Sequence, residues 1–160
     1  LNAGDLDKTA RVWGDLKERY PRTAYAQQAA MLTAKLQADK GKVDDARASL
    51  GWVVEHAVDG DYKTLARLRL AGLLFDAKQY DEALKQLDAV PAGPFAALAA
   101  DRRGDVLLAQ GKKDDARAAY QQAYGAMDEK VEYRRLIDAK LTALGSSPAA
   151  AAAAASGASR

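Results

Sequence analysis

The sequence predicts an all-α fold of helical hairpins, because of its composition and a repeated spacing of small residues. Of the 160 residues, 37 are alanine and 19 are leucine, whereas eight are valine, one is isoleucine and five are threonine. Alanine and leucine are strong helix formers, while sheets favour β-branched and aromatic residues. With 49% hydrophobic residues and a net charge of +2, the chain is expected to fold rather than stay disordered.

The repeated spacing appears in three similar segments, which end at Ala46, Ala83 and Ala116. A small residue stands 12 positions before each alanine, and a large apolar residue stands four positions after it. The small residues are Ala34, Ala71 and Gly104, and the large ones are Leu50, Leu87 and Tyr120. Small residues at this spacing are expected on two facing helices, where the axes approach most closely. Acidic pairs just before the alanines favour the start of each second helix.

This pattern resembles the tetratricopeptide repeat, a helix-turn-helix unit of about 34 residues. The resemblance covers roughly residues 4–127 and implies a solenoid of helical hairpins with a C-terminal capping helix. The expected repeat domain spans residues 1–145, followed by a flexible, alanine-rich tail at 146–160. Within the domain we expect a partial first repeat at 4–21, repeats at about 23–58, 62–95 and 95–128, and the capping helix at 129–144.

Helix limits follow from capping residues and chain breakers. The first helix should end at Tyr20-Pro21, the second should begin at the N-cap Thr23, and Pro91-Ala92-Gly93-Pro94 should separate the fifth helix from the sixth. The predicted helices are 5–19, 23–39, 44–56, 62–77, 81–90, 95–110, 114–127 and 129–144. The first helix corresponds to the second helix of a repeat, so we expect the native chain to continue before Leu1.

No catalytic, cofactor or metal site is predicted. The sequence has no cysteine and one histidine, His56, which falls near a helix C-terminus where a cation is favourable. Acidic pairs such as Asp44-Asp45 recur at each repeat turn, which favours helix starts over general acids or calcium ligands. No phosphate-binding loop or zinc motif is present. Because the 24 basic and 22 acidic residues form no concentrated basic region, nucleic-acid binding is not expected.

A repeat solenoid has a concave groove lined by the first helix of each repeat, which predicts a protein-binding site. Apolar side chains rimmed by charges are typical of such sites. The predicted groove residues are Met31, Lys35, Leu65, Leu68, Arg69, Phe75, Leu98, Arg102, Asp105 and Leu108. As an alternative, the tail or the capping helix fills this groove.

A narrower resemblance is carried by Tyr62–Ala71, by Ala96–Asp105 and by Leu107–Lys112 with the following Ala116–Tyr120. These segments resemble the YfgM-like ancillary subunit of the bacterial Sec translocon. That resemblance implies a repeat domain on the periplasmic side of the inner membrane, held there by an anchor helix upstream of Leu1. It also implies protein partners, namely the translocon channel and a periplasmic chaperone or isomerase.

The predicted function is therefore that of a non-enzymatic scaffold for protein–protein interactions, linking the Sec channel to periplasmic chaperones through the groove. Two alternatives stay open. The chain could instead serve as a scaffold in outer-membrane or cell-envelope assembly, or it could be a structural oligomerisation module.

Overall fold

In the computed structural model, which describes residues 5–148, all regular elements of the described chain are α-helices. The predicted tail residues 149–160 and residues 1–4 lie outside this range. The chain forms two compact units, which divide between Ala89 and Val90. The first unit contains α1 (Leu6–Arg19), α2 (Ala24–Asp39), α3 (Val43–His56), α4 (Gly60–Asp76) and α5 (Tyr80–Asp88). The second contains α6 (Ala96–Ala109), α7 (Lys113–Ala126) and α8 (Tyr133–Ala143).

Polar side chains fix the starts of three helices. The Asp5 carboxylate accepts a hydrogen bond from the Lys8 N–H at 3.1 Å before α1, and the Thr23 hydroxyl accepts one from the Ala26 N–H at 3.3 Å before α2. Asp59 caps α4, accepting from the Asp61 N–H at 2.7 Å. Each cap satisfies an N–H group that has no partner within its helix. Because Asp59 serves as the cap, α4 begins at Gly60, two residues before the predicted start.

The start of α8 differs more from the prediction. It lies at Tyr133 instead of residue 129. The Asp128 carboxylate accepts from the Lys130 N–H at 2.8 Å, and the Asp128 carbonyl accepts from the Val131 N–H at 3.1 Å. This side-chain-stabilised turn competes with helix formation over these residues. The fifth helix also ends earlier than predicted, at Asp88.

The turns inside the three hairpins share one geometry. Two positions after the end of each first helix stands a residue with positive φ, namely Gly41 (74°), Lys78 (58°) and Gly111 (78°). The N–H of the following residue bonds to a carbonyl in the last helical turn, as from Lys42 to Gln37 at 2.8 Å. Such left-handed C-terminal motifs normally use glycine, because a side chain is strained there. Lys78 therefore occupies a glycine position.

Replacing Lys78 by glycine should stabilise the chain by about 0.5–1 kcal/mol, because the left-handed strain removed exceeds the added flexibility of the unfolded chain. Thermal unfolding followed by circular dichroism measures this gain. The matched control is Lys40→Gly, at the end of α2 with φ of −96°, which should lose stability. A loss at both positions would contradict the strain argument.

Close approach of paired helices defines each hairpin. The repeat alanines Ala34, Ala46, Ala71, Ala83 and Ala116 are all at most 2% exposed. In the third hairpin, a Cβ on Gly104 of α6 would lie 2.5 Å from Cδ1 and 2.8 Å from Cζ of Tyr120 on α7. Tyr120 is itself 1% exposed, so its ring occupies the space that a side chain at position 104 would need.

Gly104→Ala should therefore destabilise the chain by about 1–3 kcal/mol, since overpacking forces a buried ring and its helix to move. Chemical denaturation monitored by tyrosine fluorescence and circular dichroism would measure the loss. Gly125→Ala in α7 is the control, because a Cβ there meets nothing within 4 Å. That change should be neutral or slightly stabilising, and equal effects of the two substitutions would argue against the packing constraint.

Aromatic residues pack together in and against the hydrophobic core of the first unit. Trp13 of α1 and Trp52 of α3 meet edge to face with ring centroids 6.2 Å apart. His56 stacks on Trp52 at 4.9 Å, and its Nδ1 lies 3.0 Å from the Trp52 carbonyl. His56 thus sits in the last turn of α3, as predicted.

None of the helices described between residues 5 and 148 has the length and apolar character needed to cross a bilayer.

Candidate protein-binding surface

The predicted groove residues belong to both units, and in the first unit four of them reach the surface to different extents. Lys35 of α2 and Arg69 of α4 are exposed, whereas Leu65 and Phe75 of α4 are half-buried. Lys35 pairs with Asp39 one turn further along α2, at 2.5 Å. The Phe75 ring lies 5.9 Å from the Tyr80 ring of α5. The first unit therefore exposes two cationic side chains, one of them paired with Asp39, and leaves two apolar side chains partly covered.

Two predicted groove residues lie in the interior. Met31 is 5% exposed and Leu68 is 0% exposed, which corrects their placement on an open surface. Both stand three residues before the small residue of their repeat, and so does Asp101, which is also 0% exposed. Residues three apart share a helix face. Because the small residue marks the face of closest approach, the residue one turn before it is buried as well.

In the second unit the remaining predicted residues are Leu98, Arg102, Asp105 and Leu108, all on α6. Leu98 and Arg102 are half-buried, and Leu108 is 38% exposed. Asp105 is also half-buried, and its carboxylate binds partners within the unit. Of these four residues, Leu108 is therefore the one most available to a partner.

A polar network joins α8 to α6 around the buried Asp101. Lys140 of α8 places its ammonium 2.8 Å from Oδ1 of Asp101 and 2.7 Å from Oδ1 of Asp105. The Tyr133 hydroxyl donates to Oδ2 of Asp101 at 2.8 Å, and the Tyr120 hydroxyl donates to Oδ1 of Asp105 at 2.7 Å. Both carboxylates are thus hydrogen-bonded by cationic and phenolic donors, as charges withdrawn from water must be.

The network changes the pKa values of its donors. Burial and then the hydrogen bond to Asp105 raise the pKa of Tyr120, while burial and then the hydrogen bond to Asp101 raise the pKa of Tyr133. For Lys140, burial alone lowers the pKa, but the hydrogen bonds and charges of Asp101 and Asp105 outweigh it, so the pKa is raised. At neutral pH the lysine is therefore charged and both tyrosines keep the protons that they donate.

In the second unit, α8 therefore covers part of the α6 face that the sequence assigned to a partner. This matches the alternative in which the capping helix fills that part of the groove. Sequence reasoning missed Lys140 and Tyr133, which lie in a later helix, far along the chain from Asp101. The signal in the sequence was Asp101 itself, which shares a helix face with Gly104. A carboxylate on such a closely packed face is withdrawn from water, so it requires a hydrogen-bond partner.

Lys140→Met should destabilise the chain by about 3 kcal/mol, because it leaves the buried Asp101 carboxylate without its cation. Urea unfolding at neutral pH measures the loss. Lys130→Met, at an exposed position before α8, should change the free energy of unfolding by less than about 0.5 kcal/mol. Adding Asp101→Asn to Lys140→Met should recover part of the loss, since a neutral amide needs no counter-charge. Equal stabilities of the two lysine variants would contradict this role of Lys140.

Together these features define a protein built from helical hairpins of the repeat type. The chain belongs to the tetratricopeptide repeat-like domain family, which it matches over residues 1–146. The predicted tetratricopeptide-like, all-α fold class is thereby confirmed.

Among residues 5–148, no group of three or more His, Asp or Glu side chains is arranged to hold a metal ion.

Curated relatives carry a common name. The chain is 35% identical over 129 residues to the ancillary SecYEG translocon subunit of Neisseria gonorrhoeae, covering 81% of this chain and 62% of that protein. It is also 35% identical over 100 residues to the ancillary SecYEG translocon subunit of Escherichia coli, covering 62% of this chain and 48% of that protein. The chain thus spans less than two thirds of the length of these relatives.

The crystal structure of MamA shares the fold. It aligns with a TM-score of 0.61 and 24% sequence identity, covering 76% of this chain and 68% of MamA. The predicted resemblance to the translocon subunit family is confirmed by the curated relatives, and the predicted repeat architecture by this structural similarity.

Proposed function

We propose that this chain is the interaction domain of an ancillary subunit of the bacterial Sec translocon, acting as a non-enzymatic scaffold. The observation that carries this proposal is the 35% identity to the Neisseria gonorrhoeae ancillary SecYEG translocon subunit over 81% of the chain. In this proposal the domain lies on the periplasmic side of the inner membrane and links the SecYEG channel to a periplasmic chaperone or isomerase.

The proposed contact surface in the first unit consists of Lys35, Leu65, Arg69 and Phe75, which we call the α2–α4 surface. Lys35 and Arg69 are exposed cations that would guide a partner electrostatically. Leu65 and Phe75 are half-buried, so they would supply apolar contact without unfolding the helices that carry them. This combination is typical of an interface with an apolar centre and a polar rim.

Leu108 gives the second unit a smaller proposed contact point. It is 38% exposed on α6, while Asp101 and Asp105 of the same helix are engaged by α8. The second unit would therefore contribute an apolar side chain rather than an acidic one.

Reversing both cations of the α2–α4 surface should weaken binding to purified SecYEG in nanodiscs by about tenfold, equivalent to about 1.4 kcal/mol. The variant is Lys35→Glu with Arg69→Glu, and biolayer interferometry at low salt measures the affinity. Since both side chains are exposed, the fold should be kept, which circular dichroism verifies.

The matched control is Lys85→Glu on α5, an exposed lysine on the second helix of the same hairpin as Arg69. It should bind like the unchanged chain. An equal loss in the control would indicate a general charge effect and remove the assignment of the surface. Absence of any binding of the unchanged chain to SecYEG would overturn the proposed function itself.

A further inference from the structure

The most exposed large hydrophobic side chains of the described chain all belong to the first unit. Tyr25 is 73% exposed, Val58 is 69% exposed and Tyr20 is 58% exposed, compared with 48% for Leu136, the next in order. Single exposed apolar residues are ordinary on protein surfaces. Three of them in adjoining parts of one unit call for an explanation, and we name them the loop-end patch.

The topology brings these three residues to one end of the unit. Short loops join α1 to α2 and α3 to α4, and helices joined in this way run antiparallel, so both loops lie at the same end. Tyr20 and Val58 lie in these loops, and Tyr25 lies in the first turn of α2. A hydrogen bond of 2.7 Å from the Gln28 amide to the Tyr62 hydroxyl ties α2 to α4 one turn beyond the patch.

Both loops are fixed by hydrogen bonds before any partner binds. The Thr23 hydroxyl donates to the Tyr20 carbonyl at 2.8 Å while it caps α2. Asp59, next to Val58, caps α4 through the Asp61 N–H. A surface held in one conformation loses little conformational entropy on binding. Tyrosine is also enriched in protein interfaces, because it offers a large contact area with few rotatable bonds.

The charges around the patch are divided between its two loops. Next to the tyrosines, the exposed Lys17, Arg19 and Arg22 outnumber Glu18. Next to Val58, the exposed Glu55, Asp59 and Asp61 are all acidic. One loop is therefore basic and aromatic, whereas the other is acidic and aliphatic. Such a surface is complementary to a second copy of itself when a two-fold axis relates the two copies.

We propose that the loop-end patch is a homodimer interface, in which the basic loop of each copy contacts the acidic loop of the other around a two-fold axis. Arg22 of one copy faces Asp61 of its partner, and this pair occurs twice. Tyr20, Tyr25 and Val58 form the apolar centre between the two pairs. A centre of only three apolar side chains per copy places the dimer among weak, reversible associations. The proposal does not depend on binding to the Sec channel.

Sedimentation velocity of the purified 160-residue chain tests the dimer between about 1 µM and about 1 mM. A concentration-dependent shift from monomer to dimer is expected.

Tyr25→Ser with Val58→Ser should abolish the shift. Circular dichroism should show an unchanged fold, since both side chains are largely exposed. The control Leu136→Ser, at the exposed position on α8, should dimerise like the unchanged chain. A monomer throughout this range, or undiminished dimerisation of the Tyr25 and Val58 variant, would overturn the proposal.

A mixing experiment tests the two-fold pairing. Arg22→Glu places two acidic loops against each other in its homodimer, and Asp61→Arg places two basic loops together, so each variant alone should be monomeric. In an equal mixture, Glu at 22 of one variant meets Arg at 61 of the other, and Asp61 of the first meets Arg22 of the second. Dimers should therefore reappear in the mixture and weaken with salt. A mixture that stays monomeric would refute this pairing of the loops.

Discussion

Close approach of two helices in each hairpin is the constraint on which the structure depends. Ala34 with Ala46 and Ala71 with Ala83 are nearly inaccessible to solvent, so their helices can approach until larger side chains interlock around them. In the third hairpin Tyr120 replaces the leucine of the other copies, and glycine replaces alanine at position 104. The larger ring is accommodated by the smaller residue opposite it. The repeat thus maintains the space between helices rather than the residue at either position.

The same constraint determines which polar groups need partners. Asp101 lies one turn before Gly104, on the face that packs inward, and a carboxylate there is stable only with donors nearby. Lys140 and Tyr133 of α8 provide those donors. The terminal helix is consequently attached to the second unit by a specific charged network, in addition to the buried apolar side chains of Ile137 and Leu141.

Most of the fold could be predicted from the sequence, because its signals are local. Thr23 as a cap, Pro21 as a breaker and glycine at the hairpin turns act within a few residues of themselves. The start of α8 could not be found in this way, since the turn at Asp128 competes with a helix of similar propensity.

The candidate site was harder to predict than the fold. Met31 and Leu68 lie on the first helices, which were expected to line the groove, but their position three residues before Ala34 and Ala71 places them inside. Lys140 required knowledge of a contact between helices that are distant in the sequence.

Fold and function therefore depend on different residues of the same helices. The small residues and their buried neighbours specify a hairpin that many proteins share, so they carry no information about partners. In our proposals partner choice lies in side chains that the hairpin leaves exposed, which in the first unit are Lys35 and Arg69 on α2 and α4 and the loop-end patch at the adjoining turns. Lys35 and Arg69 lie on helix faces, whereas the loop-end patch lies at two loops and the first turn of α2. A change in one set can consequently alter an interaction without disturbing the other or the packing beneath both.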